Sequence, residues 1–147
     1  MSELSINDFA DQIGEVMPVI MREFARRQTS ELCKGKVTLQ QMLILDFLSR
    51  AGSSRMTDIA RTMKVTTAAA TGIIDRLVKS GYCLREYNAH DRRIVYIRIS
   101  NKGISLVKKV DRERRETLIN TFGKISEQDR KDYLRILKQI QKVLTEK

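Results

Sequence analysis

Residues 66–103 read TTAAATGIIDRLVKSGYCLREYNAHDRRIVYIRISNKG. Ala70, Ile73, Ile74 and Leu77 recur at spacings of three and four, so the first part predicts a helix with one apolar face. Thr66 supplies the side-chain acceptor that a helix N-terminus needs, and Gly81 supplies the stop. Leu84–Tyr87 and Ile94–Ile99 then read as paired strands, the second alternating aliphatic residues with Tyr and Arg. The turn between them holds Asp91-Arg92-Arg93. A helix sized for a DNA major groove, followed at once by a basic hairpin, is the layout of a DNA-reading head.

Working outward, Lys64-Val65 reads as a turn, with Val65 as a plug between two helices, and residues 55–63 form a short helix with Ile59, Ala60 and Met63 facing inward. Before it, Thr38-Leu39-Gln40-Gln41 is a capping box that opens a helix. Met42, Ile44, Leu45 and Leu48 are the buried face of that helix and Gly52 ends it. At the N-terminus, Ile6, Phe9, Ile13, Val16, Ile20 and Phe24 mark a long amphipathic helix that fades at Thr29-Ser30. Pro18 sits inside it, and its ring presses on the carbonyl of Gly14, where adjustment is easiest, so a kink rather than a break is expected. After the hairpin, Ser100 caps a helix with Ile104, Val107, Val110, Leu118 and Phe122 as its stripe. Gly123 and Ser126 mark a corner, and a last helix from Glu127 to Leu144 places Leu134, Leu137, Ile140 and Leu144 on one face. Four helices, a hairpin and two more helices make a mainly α fold with a small β-hairpin, the arrangement of a winged helix-turn-helix. The expected division is an N-terminal assembly helix (1–33), a reading head (34–100) and two C-terminal assembly helices (101–147) in one compact subunit.

Composition agrees with a polyanionic partner. The 147 residues carry 28 Lys+Arg against 18 Asp+Glu, a formal charge of +10. Residues 52–100 hold nine basic and four acidic side chains, and residues 101–147 thirteen against seven. Residues 1–37 are nearly neutral, five against six. No run approaches the roughly 18 apolar residues of a membrane span, and the N-terminus lacks an apolar signal core. Two distant cysteines, Cys33 and Cys83, make no disulfide framework, so a reducing cytoplasm is expected. His90 is the one histidine, and no phosphate loop, zinc spacing or paired-carboxylate motif accompanies it, so neither catalysis, a cofactor nor a metal is expected.

These motifs together resemble the MarR family of bacterial and archaeal transcriptional regulators. The family's Leu-Thr-x-x-Gln appears as Val37-Thr38-Leu39-Gln40-Gln41, and its helix-turn-helix as Asp58-Ile59-Ala60, Val65-Thr66, Ile74-Asp75-Arg76-Leu77 and Gly81. Its wing signature Asp-x-Arg appears as Asp91-Arg92-Arg93, and its Leu-Thr-x-x-Gly as Ile99-Ser100-Asn101-Lys102-Gly103. The resemblance implies a homodimer on double-stranded DNA, binding a pseudo-palindromic promoter site, most often as a repressor. It implies a recognition helix over 66–80, with Thr66, Thr67, Ala68, Ala69, Thr71 and Gly72 at the base edges. Arg93, with Arg92, is expected in the flanking minor groove, while Asp91 holds the wing turn by pairing with arginine. Arg61, Lys64, Arg76 and Lys79 are the expected phosphate contacts. The family's small-molecule pocket points to Met17, Met21 and Met42 and to a small aromatic or lipophilic effector that weakens DNA binding.

The chain departs from the family at its reading face, where Ala68-Ala69-Ala70 and Gly72 replace the usual polar side chains. None of residues 66–72 can make an Arg–guanine or Asn–adenine bidentate pair. Thymine methyls, read by Ala and Thr, and groove shape at the wing are the expected sources of specificity. The bare face also suits two other readings, an architectural or weakly specific nucleic-acid-binding protein and a protein-interaction module without DNA. Cys33 lies beside Lys34 and Lys36, which lower a thiol pKa, but the family's peroxide-sensing cysteine lies in the first helix, where this chain has none. Cys83 reads as core filler, and the mixed-charge run 108–116 as a solvated helix face.

Overall fold

The computed structural model describes residues 3–27 and 34–146. The elements run α1 (Ile6–Arg27), α2 (Leu39–Ala51), β1 (Ser53–Arg55), α3 (Met56–Met63), α4 (Thr67–Lys79), β2 (Cys83–Tyr87), β3 (Val95–Ile99), α5 (Asn101–Phe122) and α6 (Glu127–Thr145). Four of the helix N-termini have a local cause in a side-chain cap. Thr38 accepts from the Gln41 amide at 3.1 Å while the Gln41 side chain accepts from the Thr38 amide at 2.9 Å, so the capping box forms in full. Thr66, Ser100 and Ser126 cap α4, α5 and α6 in the same way, each accepting the amide three residues on. α1 runs unbroken through Pro18. The expected fading at Thr29-Ser30, and Cys33, lie outside the described residues.

One element differs from expectation. The two-stranded hairpin is a three-stranded antiparallel sheet in the order β1-β3-β2, with Ser54 opposite Ile97 and Arg85 opposite Ile97 from the other side. Ser53-Ser54-Arg55 has no apolar alternation to signal a strand. It forms because Gly52, at φ +80°, turns the chain out of α2 onto the free edge of β3, whose backbone groups need partners.

The core belongs to the head. Ile44, Leu45, Leu48, Ile59, Ile74, Leu77, Cys83 and Ile97 are fully buried, joined by Val37, Met42, Tyr82 and Ile99. Only the first half of α5 enters it, through Leu106, Val107 and Val110. The expected α5 stripe therefore splits: Leu118 is exposed, because beyond Val110 the helix leaves the head. Phe122 is half-buried in an aromatic stack, its ring 6.4 Å from Phe24 of α1 and 5.4 Å from Tyr133 of α6. Neither α1 nor α6 has a buried residue; Leu134, Leu137, Ile140 and Leu144 all stand exposed.

Gly103 sets the join between head and α5. A Cβ there would lie 2.4 Å from the Tyr82 carbonyl oxygen and 2.6 Å from Ile99 Cγ1. Gly72, on α4, has nothing within 4 Å of the same position. Opposite outcomes are expected in urea melts. Gly103→Ala should destabilise by about 1–3 kcal/mol through overpacking. Gly72→Ala should stabilise by about 0.5–1 kcal/mol through lower backbone entropy in the unfolded chain.

Candidate nucleic-acid interface

α3, a tight turn and α4 form the helix-turn-helix. Lys64 adopts the left-handed conformation (φ 54°) at the end of α3, and the Val65 amide donates to the Ala60 carbonyl at 3.0 Å. Ile59 and Ala60 face Ala70, Ile74 and Leu77 inside the head. At 100° per residue, the face of α4 opposite that core carries Ala68, Gly72, Asp75 and Lys79. Thr67, Ala68 and Ala69 are exposed, whereas Thr71 and Gly72 are half-buried.

The hydrogen-bonding capacity of this face is smaller than the residue types suggest. Thr66 Oγ1 accepts from the Ala69 amide at 3.1 Å, and Thr71 Oγ1 donates to the Thr67 carbonyl at 2.8 Å. Both hydroxyls serve their own helix. Thr67 is left as the threonine at the start of α4 whose side chain has no such intrahelical bond. The four cations singled out by sequence lie on α3, in the turn and in the C-terminal half of α4. Arg61 is loosely paired with Asp58 at 3.3 Å, and Lys64, Arg76 and Lys79 are exposed with no ion pair among the described residues.

The wing turn is built by two acidic or amide side chains. Asn88 Oδ1 accepts the amides of His90 (2.8 Å) and Asp91 (3.2 Å), closing the turn from within. The Asp91 carboxylate then accepts the Arg93 amide at 3.0 Å and two guanidinium N–H groups at 3.1 and 3.2 Å. These bonds, the side-chain one foremost, hold the Asp91 carboxyl below its ordinary pKa. The Arg93 side chain is nonetheless 92% exposed, so the brace aims the guanidinium outward rather than burying it. Arg92 beside it is exposed with no such brace.

Three contacts escaped the sequence. Arg85 of β2 forms an ion pair with Asp75 of α4. Arg98 pairs with Glu86 across β3 and β2 at 3.0 Å, and the Arg55 guanidinium lies 5.7 Å from the centre of the Tyr96 ring. A hydrogen bond to Tyr96 is the main reason Arg55 holds its proton more tightly than usual. The last two contacts depend on strand register and the first on how α4 packs against β2, neither of which residue spacing reveals.

The methionines do not converge. Met42 is buried in the head core, while Met17 and Met21 stand exposed on α1. The reason is that Met42 lies on the inward face of α2, among the core side chains. A cleft of about 610 Å³ instead opens between α1 and α5, lined by Val19, Ile20, Phe24, Thr117, Asn120 and Thr121, with Glu23, Arg27 and Lys124 also bordering it. Cys83 is fully buried, and burial pushes its thiol up to about 12, so it serves as core filler. No group of His, Cys, Asp and Glu among the described residues is placed to hold a metal. No helix among them is long and apolar enough to cross a membrane.

Residues 37–95, from the α2 cap to the first residue of β3, match the model of the MarR family. A helix-turn-helix transcriptional regulator of Mycobacterium leprae, ML2140, is 30% identical over 124 residues, covering 84% of this chain and 86% of that protein. The chain belongs to the MarR family. The helix-turn-helix transcriptional repressor MdtR of Bacillus subtilis is 33% identical over 70 residues, a match that spans 48% of this chain and 45% of MdtR. A MarR family protein from Bacillus stearothermophilus shares the fold at a TM-score of 0.82 and 20% identity, over 97% of this chain and 99% of that one. The family's members are transcriptional regulators, not enzymes.

The wing brace has a defined acid limit. Because the Asp91 pKa is depressed, the stabilisation from its pairing is complete above the ordinary carboxylate range and is lost as pH falls through the depressed value. In a carbon-13 NMR titration the Asp91 carboxyl should titrate below 3.8, and Arg93→Ala should move it upward. An unchanged titration in that variant would remove the guanidinium from the account.

Proposed function

We propose that this MarR-family regulator is a repressor that binds a pseudo-palindromic promoter duplex as a homodimer and is released by a small aromatic or lipophilic effector. The observation that carries the reading is the exposed surface made by α4 and the wing: small side chains at its centre, Arg61, Lys64, Arg76 and Lys79 around it, and Arg92 and Arg93 at the wing tip. Arg61, Lys64, Arg76 and Lys79 contact phosphates and set the register. Thr66, Thr67, Ala68, Ala69, Thr71 and Gly72 face the base edges, where methyl contacts with thymine replace bidentate hydrogen bonds. Arg93, aimed by Asp91, and the unbraced Arg92 enter the minor groove, where narrow A·T-rich sequence deepens the negative potential. Likeness to the repressor MdtR supports the sign of regulation.

Assembly follows from the apolar faces of α1 and α6. A second copy would cover Phe9, Ile13, Val16 and Ile20 of α1 and Leu134, Leu137 and Ile140 of α6, all exposed in the single subunit. Effector binding then acts by changing the separation of the two heads. The α1–α5 cleft supports that part of the reading, since it offers apolar walls together with charged groups.

The alanine-rich reading face favours one rival, an architectural protein of weak sequence preference. Competition between a native upstream fragment and bulk DNA at fixed salt separates the two. A specificity ratio of about 10³ or more is expected for the regulator, against a ratio near unity for the rival. Arg93→Glu should abolish retention on DNA while leaving the dimer intact in sedimentation, and unimpaired DNA binding by that variant would count against the minor-groove role of the wing.

A further inference from the structure

Asp75 stands where a DNA-reading helix has least use for it. It is the one acidic residue of α4, and it shares with Ala68, Gly72 and Lys79 the face opposite the core. A carboxylate there faces a polyanion once the helix enters a groove. Its ordinary local partner would be Lys79, four residues on along the same helix face. Instead Asp75 pairs with Arg85, and Lys79 makes no ion pair among the described residues.

Arg85 is well placed to do this. On β2 it pairs with Ile97 and lies on the same sheet face as the buried Cys83, the face against which α4 packs. Its side chain is 33% exposed, against 55% for Asp75, so the pair sits at the surface where helix and sheet diverge. Among the described residues this is the ion pair that joins α4 to the wing strands.

We propose that Arg85 is a positioning residue for DNA binding: it neutralises Asp75 on the groove-facing side of α4, frees Lys79 for a phosphate, and ties the helix to the wing. The inference rests on the reading that α4 and the wing are the DNA-binding surface. It assigns Arg85 no contact with DNA of its own. An Asp75 left alone would repel phosphates, and that repulsion would fade with salt, because the screening length is about 10 Å at 0.1 M and shortens as salt rises. A packing defect would persist at every salt concentration.

The test is a cycle of Arg85→Gln, Asp75→Asn and the double variant in the full chain, with affinity for the native upstream duplex measured at about 50 and 200 mM salt. Arg85→Gln should weaken binding by roughly tenfold at low salt, with the deficit shrinking at high salt. Asp75→Asn should bind as tightly as the wild type or more tightly, and the double variant should return to within about threefold of the wild type. The proposal is overturned if Asp75→Asn weakens binding as much as Arg85→Gln, if the double variant is no better than Arg85→Gln, or if the deficit is independent of salt. Should Arg85→Gln fail to fold, the sign of the Asp75→Asn effect decides alone: equal or tighter binding supports the role and weaker binding overturns it. A wild-type chain that ignores the duplex overturns the DNA reading and this inference together, whereas a wild type that binds alongside a failed cycle overturns the inference alone.

Discussion

Everything in the subunit hangs on the seam where the end of α4 meets the start of α5. Gly81, at φ +80°, turns the chain out of α4, and Ser100 Oγ donates to its carbonyl at 2.5 Å while accepting the Gly103 amide at 3.1 Å. Lys102 Nζ donates to the Ser80 carbonyl at 2.7 Å and sits 4.6 Å from the centre of the Tyr82 ring. One serine therefore caps α5 and one lysine caps α4, and both caps cross the same narrow gap. Gly103 is what allows the gap to be narrow, since a side chain there would strike the Tyr82 carbonyl. The two helix ends are thus joined by side-chain hydrogen bonds to backbone carbonyls and by close backbone packing at Gly103.

The distribution of apolar surface divides the chain more sharply than its connectivity does. The head encloses its own core from α2, α3, α4, the sheet and the first turns of α5. α1 and α6 bury nothing, although both are strongly amphipathic. Each Å² of their exposed stripes left in water forgoes about 25 cal/mol.

At the reading surface, polar groups are spent on the protein itself. Thr66 and Thr71 bond their own helix, Asp75 is held by Arg85, and Asp91 braces Arg93. The centre of α4 is left with methyl and methylene groups, and the unspent charges lie at its edges and on the wing. The Asp75–Arg85 pair neutralises the one carboxylate on the outer face of α4 without adding an unpaired charge there.

Much of this was legible from residues alone. The Thr38–Gln41 capping box, the Thr66 and Ser100 caps, the periodicity of α4 and the alternation of β3 are local signals, and local hydrogen bonds and side-chain periodicity act over three or four residues. The Asp91–Arg93 brace belongs with them, because its partners are two residues apart. β1 was silent: Ser53-Ser54-Arg55 becomes a strand only because β3 has an open edge beside it. The pocket expected from Met17, Met21 and Met42 dissolved, since helical spacing does not say whether a face meets a core, a cleft or solvent. The Asp75–Arg85 pair likewise needed the packing of α4 on β2, across a turn whose geometry no spacing rule supplies. The helices, the hairpin strands, their caps and the basic wing turn rest on short-range interactions and so are readable from neighbouring residues. Which residues face each other across the head, and which apolar faces remain open, was decided by the tertiary structure, because register and packing are properties of elements brought together from far apart in the chain.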